Sequence, residues 1–214
     1  MPRTKEQNEQ IKEERRREII DAAIPLFARY GFATTNISQI AEAAGVSYGT
    51  VFLYFPSKED LFRIAVLARL DEASNLFWPP AAEGESPLDH LLRLIRLQIG
   101  LFLTEACFLR LVQQILAHPE QFPDLTERVH AFRTATVEHL IPIIEKGQAS
   151  GQLQPSSPRL LASLYFSHLI GIALTMAPPS GQGPQALTVT EPISQLVLRL
   201  FAPVAPPDDR TGTP

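Results

Sequence analysis

Apolar residues recur along most of the chain at the three- and four-residue intervals of an α-helix. In the first long segment, Ile20, Ala23, Ile24 and Phe27 follow the i, i+3, i+4, i+7 rule, which places them on one helical face. No segment shows the alternation and hairpin turn expected of paired strands. Most of the 19 prolines fall between the apolar stretches, where they end helices. The pattern therefore predicts an all-α fold.

The predicted helices include two short ones near the N-terminus and longer ones after them. Their spans are 11–30, 37–44, 47–55, 58–78, 88–107, 108–118, 124–150, 157–177 and 190–202. We expect a flexible charged arm over 1–10, loops over 81–86 and 178–187, and a disordered tail over 204–214. Pro25 should bend the first helix, and Pro142 should kink the seventh near His139. Gly31 supplies the left-handed residue that ends many helices.

The two short helices carry strong capping signals. Asn36 can accept from the backbone at the start of the first helix, and Gln39 can reach back as in a capping box. Gly45 ends that helix, and Ser47 caps the second. Two short helices that are joined by a glycine-containing turn and preceded by a longer support helix predict a helix-turn-helix.

The second short helix has a polar side and an apolar side. Its polar side presents hydroxyls and a glycine: Ser47, Tyr48, Gly49, Thr50 and Tyr54. Hydroxyls and the N–H groups of a helix N-terminus bind phosphates, and the glycine leaves room for a base edge. The apolar side is expected to form a small core made of Val51, Phe55, Val46, Ile40 and Ala41. The exposed side is therefore shaped for the major groove of DNA.

Charge changes this picture in two places. Lys58 stands in the first turn of the next helix, where its charge opposes the helix dipole; a bound phosphate would remove that conflict, and a solvated surface lysine is the alternative. The formal net charge of −4 argues mildly against a nucleic-acid binder. Between Asp21 and Glu59, however, the one acidic residue is Glu42, so the proposed surface is nearly neutral.

The stretch TTNISQIAEAAGVSYGTVFLYF (34–55), with 19–32 before it and 57–61 after it, resembles the DNA-binding domain of the TetR family of bacterial transcriptional regulators. The resemblance implies an N-terminal three-helix helix-turn-helix domain, here 10–57, and a larger helical ligand-binding and dimerisation domain, here 58–203. It also implies a homodimer on a pseudo-palindromic operator. Such a regulator is expected to be a repressor that a small apolar or aromatic effector releases from DNA.

Carried over position by position, the resemblance implies two kinds of DNA contact. Phosphates would be held by Asn36, Ser47, Thr50, Tyr54 and Lys58, bases would face Ser38, Gln39, Tyr48 and Gly49, and Thr35 belongs to the same DNA-binding set. The family usually has Tyr where this chain has Phe52, which favours a packing role for Phe52. The charged N-terminal arm would contact the minor groove or form ion pairs on a solvated face.

The larger domain is expected to enclose an apolar pocket with a few polar groups. Its candidate lining residues are Phe77, Trp78, Phe102, Cys107, Phe108, Gln114, His130, Arg133, Tyr165, His168 and Met176. The uncharged stretch 160–177 and the segment 190–202 resemble the two helices that form the family's dimer interface. A buried or interfacial helix is favoured over a membrane span, because hydroxyl and imidazole side chains dilute the apolar stretch.

Other classes of function have weaker support in the sequence. A lone Cys107 excludes an intramolecular disulfide, and the five histidines lack ligand spacing, so we expect no metal or cofactor. The charged N-terminus lacks the apolar core of a secretory signal, which favours the cytoplasm. An enzyme with Cys107 as nucleophile would need a base that the sequence does not reveal. A helical interaction protein without DNA binding is the third hypothesis.

Overall fold

The computed structural model describes residues 4–176 and 185–203 and is all-helical over both ranges. Its helices are α1 (Lys5–Tyr30), α2 (Ile37–Ala43), α3 (Tyr48–Tyr54), α4 (Lys58–Leu76), α5 (Pro87–Thr104), α6 (Ala106–Ala117), α7 (Pro123–Ala149), α8 (Pro158–Met176) and α9 (Gln185–Leu198). The predicted all-α fold is confirmed. The predicted tail over 204–214 and most of the loop over 178–187 lie outside the described residues.

The N-terminal segment differs from the prediction of a flexible arm. The helix α1 begins at Lys5, because Thr4 caps it: the Thr4 hydroxyl accepts from the Gln7 N–H at 3.2 Å, and the Gln7 side chain accepts from the Thr4 N–H at 3.0 Å. Ion pairs three residues apart, such as Lys12 with Glu9 at 3.0 Å, continue along the exposed turns. The expectation of a flexible arm was wrong for residues 5–10, since a complete capping box starts the helix there.

Two helix ends also differ from the predicted ones. The helix α5 ends at Thr104 rather than near 107, because the chain bends by 80° between α5 and α6. The helix α9 begins at Gln185, so the last three residues of the loop predicted over 178–187 are helical. It ends at Leu198, after which the backbone closes tight turns such as Phe201 N–H to Leu198 C=O at 2.9 Å.

A first hydrophobic core joins α1–α4 to α6 and to the beginning of α7. The Phe62 ring packs there between those of Phe27 and Phe122, with centroid distances of 5.0 Å and 4.7 Å. Leu61 of α4 and Leu111 of α6 are fully buried in the same core. The helix α1 therefore joins the helix-turn-helix to α4 and α6, and the predicted domain boundary at 57/58 lies within one continuous core.

A second core lies among α5, α7, α8 and α9 and contains one buried polar chain. The Tyr165 hydroxyl donates to the Gln98 Oε1 at 2.7 Å, and the Gln98 Nε2 donates to the Phe77 carbonyl at 3.0 Å. Burial raises the pKa of the Tyr165 hydroxyl well above its usual value, so this group stays a neutral donor. The chain of hydrogen bonds fixes the residue that follows α4 against α5 and α8.

The helix α8 is long and apolar enough, by length and composition alone, to cross a membrane. One side of it is nevertheless packed in the second core, where Leu161, Ala162, Tyr165, Phe166 and Leu169 are buried. A fully buried tyrosine that bonds to a glutamine of α5 belongs to a packed protein interior. This packing agrees with the predicted core or interfacial helix.

Candidate DNA interface and ligand cleft

The caps predicted for the two short helices are present. The Asn36 Oδ1 accepts from the Gln39 N–H at 3.2 Å, and the Gln39 Oε1 accepts from the Asn36 N–H at 3.0 Å. The Ser47 hydroxyl accepts from the Thr50 N–H at 3.0 Å and lies 2.7 Å from the Thr50 hydroxyl. Gly45, at φ +65°, makes the left-handed turn between the helices. Local hydrogen bonds therefore fix where α2 and α3 begin, and the Gly45 turn joins the two helices.

Capping leaves the amide groups of α2 available for an external acceptor. Asn36 and Gln39 use their carbonyl oxygens for the capping box, and both residues are exposed. No other described residue accepts from their NH2 groups. An exposed amide with an unused NH2 can donate to a phosphate or to a base acceptor, which is the role that the sequence predicts for these positions.

The exposed side of the helix-turn-helix forms what we call the recognition face: Ser38, Gln39, Ser47, Tyr48, Gly49, Phe52 and Leu53. Tyr48, Phe52 and Leu53 are 56%, 38% and 80% exposed, and the rings of Tyr48 and Phe52 lie 5.0 Å apart. Val51 and Phe55 on the opposite side are fully buried, as predicted. The recognition face therefore combines hydroxyl and amide groups with an apolar strip.

Phe52 and Leu53 correct the interpretation of α3. The sequence favours a packing role for Phe52, but the seven-residue helix buries one side only, and Phe52 lies on the exposed side beside Tyr48. The sequence interpretation missed Leu53 altogether. Its position is two residues from both Val51 and Phe55, which places it away from the buried side and could have identified it.

Thr35 also differs from its predicted role as a DNA-binding residue. Its side chain is fully buried, and its hydroxyl donates to the Gly31 carbonyl at 2.8 Å, with the Leu26 carbonyl at 3.2 Å. Gly31 itself ends α1 at φ +80° and ψ 162°, outside the left-handed helical region that the sequence predicts. The Thr35 hydroxyl therefore closes the connection between α1 and α2 and does not face DNA.

Lys58 finds its partners within the chain. Its half-buried ammonium donates to the carbonyls of Phe32, Ala33 and Thr35 at 2.9, 3.3 and 3.0 Å and lies 4.5 Å from the centroid of the Phe32 ring. These carbonyls relieve the conflict with the dipole of α4 that the sequence predicted. A phosphate contact would require the ammonium to exchange at least one carbonyl for a phosphate oxygen.

A cleft of about 760 Å³ lies between the two cores and is bounded by α1 and by α4–α8. Its floor is apolar and buried, and consists of Leu70, Phe77, Phe102, Phe108, Val129 and Phe166. Five of the predicted lining residues are in its wall: Phe77, Phe102, Phe108, His130 and Arg133. The size and the apolar floor are typical of small-molecule sites.

The remaining predicted lining residues lie outside this cleft: Trp78, Cys107, Gln114, Tyr165, His168 and Met176. Trp78 stacks on His139 with ring centroids 4.9 Å apart, and Cys107 packs against the first core. His168 and Met176 are exposed on α8. These residues were predicted from their residue types. Whether a side chain reaches the cleft depends instead on the helical face on which it lies.

The charged groups of the cleft are mostly paired. At the α1–α4 edge, the Arg69 guanidinium bonds to Glu72 at 2.9 Å and to Asp21 at 2.8 Å, and Arg17 approaches Glu72 at 3.9 Å. Arg133, on α7, forms no ion pair or hydrogen bond with another described residue. The α7 edge of the cleft thus carries a guanidinium without a carboxylate partner.

Known proteins are similar to this chain both in its N-terminal helices and over most of its length. The sequence profile of the bacterial regulatory proteins of the tetR family matches residues 19–65. An uncharacterized HTH-type transcriptional regulator of Bacillus subtilis (strain 168), YfiR, is 30% identical over 164 residues, which cover 74% of this chain and 77% of YfiR. The HTH-type transcriptional regulator TtgR of Pseudomonas putida is 30% identical over 178 residues, or 78% of this chain and 82% of TtgR.

Solved structures share the fold. The crystal structure of a bacterial regulatory protein in the tetR family from Rhodococcus RHA1 superposes with a TM-score of 0.69 at 21% identity, covering 89% of this chain and 98% of that one. The chain belongs to the TetR family of bacterial regulatory proteins. It is a helix-turn-helix transcriptional regulator that binds DNA, as the resemblance implied.

Proposed function

We propose that the protein is a homodimeric repressor that binds a pseudo-palindromic operator and is released when a small molecule occupies the cleft. The observation that carries the DNA part is the recognition face, where the capped helix α3 exposes hydroxyls and an apolar strip and Gln39 of α2 adds an exposed amide. Side chains of this kind match base edges and thymine methyl groups in the major groove. Asn36, Ser47, Thr50, Tyr54 and Lys58 are assigned to phosphates.

The homodimer is proposed to form through α8 and α9. One face of α8 is exposed although the helix carries no charged side chain after Arg159: Leu160, Leu164, Ser167, Gly171 and Thr175 recur at helical intervals on it. Leu160 and Leu164 are 54% and 45% exposed, and Leu196 of α9 is 60% exposed. A second copy of this chain would bury these leucines. The dimer would then contain two copies of α3, the recognition helix, related by a two-fold axis.

The helix α6 connects the cleft to the DNA-binding helices. Val112 and Leu116 line the cleft on one side of α6, while Leu111 and Ile115 are buried in the first core on the other. From the same helix, the Gln114 side chain donates to the Ala28 carbonyl of α1 at 2.9 Å. A ligand that shifts α6 would therefore displace α1 and change the spacing of the two recognition helices, which links ligand and DNA affinities reciprocally.

Titration of the full chain onto its own upstream DNA, at several salt concentrations, tests the DNA part of the proposal. The proposal predicts that binding to this DNA is about 1,000-fold or more tighter than to a scrambled duplex at physiological salt, with two chains per site. Because the recognition face is nearly neutral, non-specific binding should be weak and should fall with salt. Equal affinity for the two duplexes would contradict specific recognition. Binding of a single chain per site would contradict the proposed homodimer but not specific recognition.

A further inference from the structure

We propose that the cleft takes a carboxylate-headed amphiphile, whose apolar body lies on the aromatic floor and whose carboxylate pairs with Arg133. The inference rests on the proposed function only in making that ligand the effector; the binding site itself is argued from the cleft. The proposed ligand therefore has one anionic head and a long apolar body, like a free fatty acid.

The apolar body is required by the floor of the cleft. Phe77 contacts Phe102 with ring centroids 5.3 Å apart, and Phe102 contacts Phe166 at 6.3 Å, so three helical segments present a continuous aromatic wall. A ligand lying on this wall would remove apolar surface from water on both sides, which is favourable in proportion to the area. A volume of about 760 Å³ is large enough for a flexible chain of this kind.

The anionic head is required by Arg133. Neighbouring arginines are occupied, because Arg128 on the same helix bonds to Asp71 at 2.6 Å and Arg159 bonds to Glu138 at 2.8 Å. Arg133 reaches the cleft without a carboxylate partner among the described residues, and His130 lies one turn earlier on the same edge. Arg133 is exposed at this edge, and its guanidinium can bind a carboxylate in a bidentate pair.

The acidic groups of the cleft do not cancel this preference. Glu72 is held by Arg17 and Arg69, and Glu105 stands at the bend between α5 and α6. With three arginines against two glutamates in the wall, the formal charge is one positive even when His130 is neutral. Glu105 would nevertheless attract a cationic amphiphile, so a cationic head is the competing class that the experiment must distinguish.

Three ligands with the same twelve-carbon chain separate the alternatives: dodecanoate, dodecanol and dodecylammonium. Each is titrated into the full-length protein by calorimetry, with the emission of Trp78 as a second readout. Trp78 is the only tryptophan of the chain, and its ring lies 5.9 Å from that of Phe77 in the cleft floor. We expect dodecanoate to bind at least about 10-fold more tightly than dodecanol, and dodecylammonium to bind most weakly.

Variants of Arg133 locate the head. R133Q should lower the affinity for dodecanoate about 10-fold and leave the affinity for dodecanol unchanged. R133K should lose less affinity for dodecanoate because it keeps the charge. R128Q, on the same helix but outside the cleft, is the matched control and should bind all three ligands as the wild type does. Circular dichroism checks the fold of each variant, and the comparison of ligands on the wild type needs no variant.

Several results would overturn the inference. Equal affinity for acid and alcohol, tightest binding of the ammonium, absence of binding by all three, or the same loss in R128Q as in R133Q would each contradict it. DNA affinity is measured separately with and without saturating dodecanoate. If dodecanoate binds through Arg133 but leaves DNA affinity unchanged, the ligand class stands and the effector role in the proposed function fails.

Discussion

The recognition face and the cleft both combine apolar and polar side chains, but the two surfaces differ in curvature and in the exposure of their apolar side chains. The recognition face is convex: α3 is seven residues long, and Tyr48, Phe52 and Leu53 project from it. The cleft is concave, and helices from both cores build its buried aromatic floor. A convex helix fits the groove of a much larger partner, whereas a concave site encloses a smaller one. Curvature, rather than apolar content, thus distinguishes the proposed DNA surface from the proposed ligand site.

The two regions are also held in place by different forces. The recognition face depends on local hydrogen bonds at Asn36, which caps α2, and at Ser47, which caps α3, and on the buried side chains of Val51 and Phe55. The cleft depends on contacts between distant helices, such as the Tyr165–Gln98–Phe77 hydrogen bonds. Substitutions in the first region should therefore separate stability from DNA binding, and those in the second should couple stability to the shape of the cleft.

The largest effect is expected from F55A. Phe55 is fully buried, so truncation leaves a cavity and should lower the free energy of unfolding by about 3–5 kcal/mol. F52A, three residues earlier on the same helix, removes a ring that is 38% exposed and should cost about 1 kcal/mol or less. Urea unfolding of the two variants measures both values. Similar losses would show that Phe52 is a core residue after all.

The next largest effect is expected from Q98L. Leucine would leave the Phe77 carbonyl and the Tyr165 hydroxyl buried without a partner, at a combined cost of about 2–4 kcal/mol. Y165F removes the Tyr165 hydroxyl, which is one of these two unpaired groups. The double variant Q98L/Y165F should therefore lose less stability than the two single variants together. A double-mutant cycle by urea unfolding measures this coupling. Additive losses would contradict the hydrogen-bonded chain.

K58M should have a smaller effect on stability and a separate effect on DNA binding. Three carbonyls lose their donor, at a cost of about 1–2 kcal/mol, because the site is half-buried and water can replace part of the contact. If Lys58 also contacts a phosphate, the slope of log affinity against log salt should fall by about 1. Loss of stability with an unchanged slope would leave Lys58 as a tether between α4 and the α1–α2 connection.

The smallest effect is expected at the exposed pair Glu191–Arg96, which fastens α9 to α5. The hydrogen bonds from Arg96 lower the pKa of the Glu191 carboxyl from 4.5 to about 2. A carboxyl whose pKa is lowered by folding adds stability above its unfolded pKa and loses it as the pH falls. The wild type should therefore exceed E191Q in thermal midpoint above about pH 4.5, and the difference should vanish towards pH 2. A difference that does not change with pH would contradict this assignment.

The sequence predicted the helix-turn-helix well because its signals are local. Asn36, Gln39 and Ser47 act on backbone groups within three residues, so their spacing alone identifies the helix starts. The same signal is present at Thr4 and Gln7, where charged neighbours obscure it. Phe52 was misassigned because it lies three residues before the buried Phe55, a helical spacing that also fits the buried side.

The cleft could be predicted only in part because its wall combines side chains from helices that are far apart in sequence. Phe77, Phe102 and Phe108 were identified as large apolar residues, but so were Trp78 and Tyr165, which face other neighbours. The 80° bend between α5 and α6 decides which of these side chains converge. No local pattern in the sequence specifies that angle.

The most direct test of the central claim is the specificity ratio of a recognition-face variant. The ratio of affinities for the upstream and scrambled duplexes is measured for the wild type, for the double variant Y48A/F52A, and for Y30A, whose ring is 42% exposed but lies outside the recognition face. We predict a ratio of about 1,000 or more for the wild type and for Y30A, and a ratio near one for the folded double variant. A folded Y48A/F52A that keeps the wild-type ratio would contradict the assignment of DNA recognition to this face.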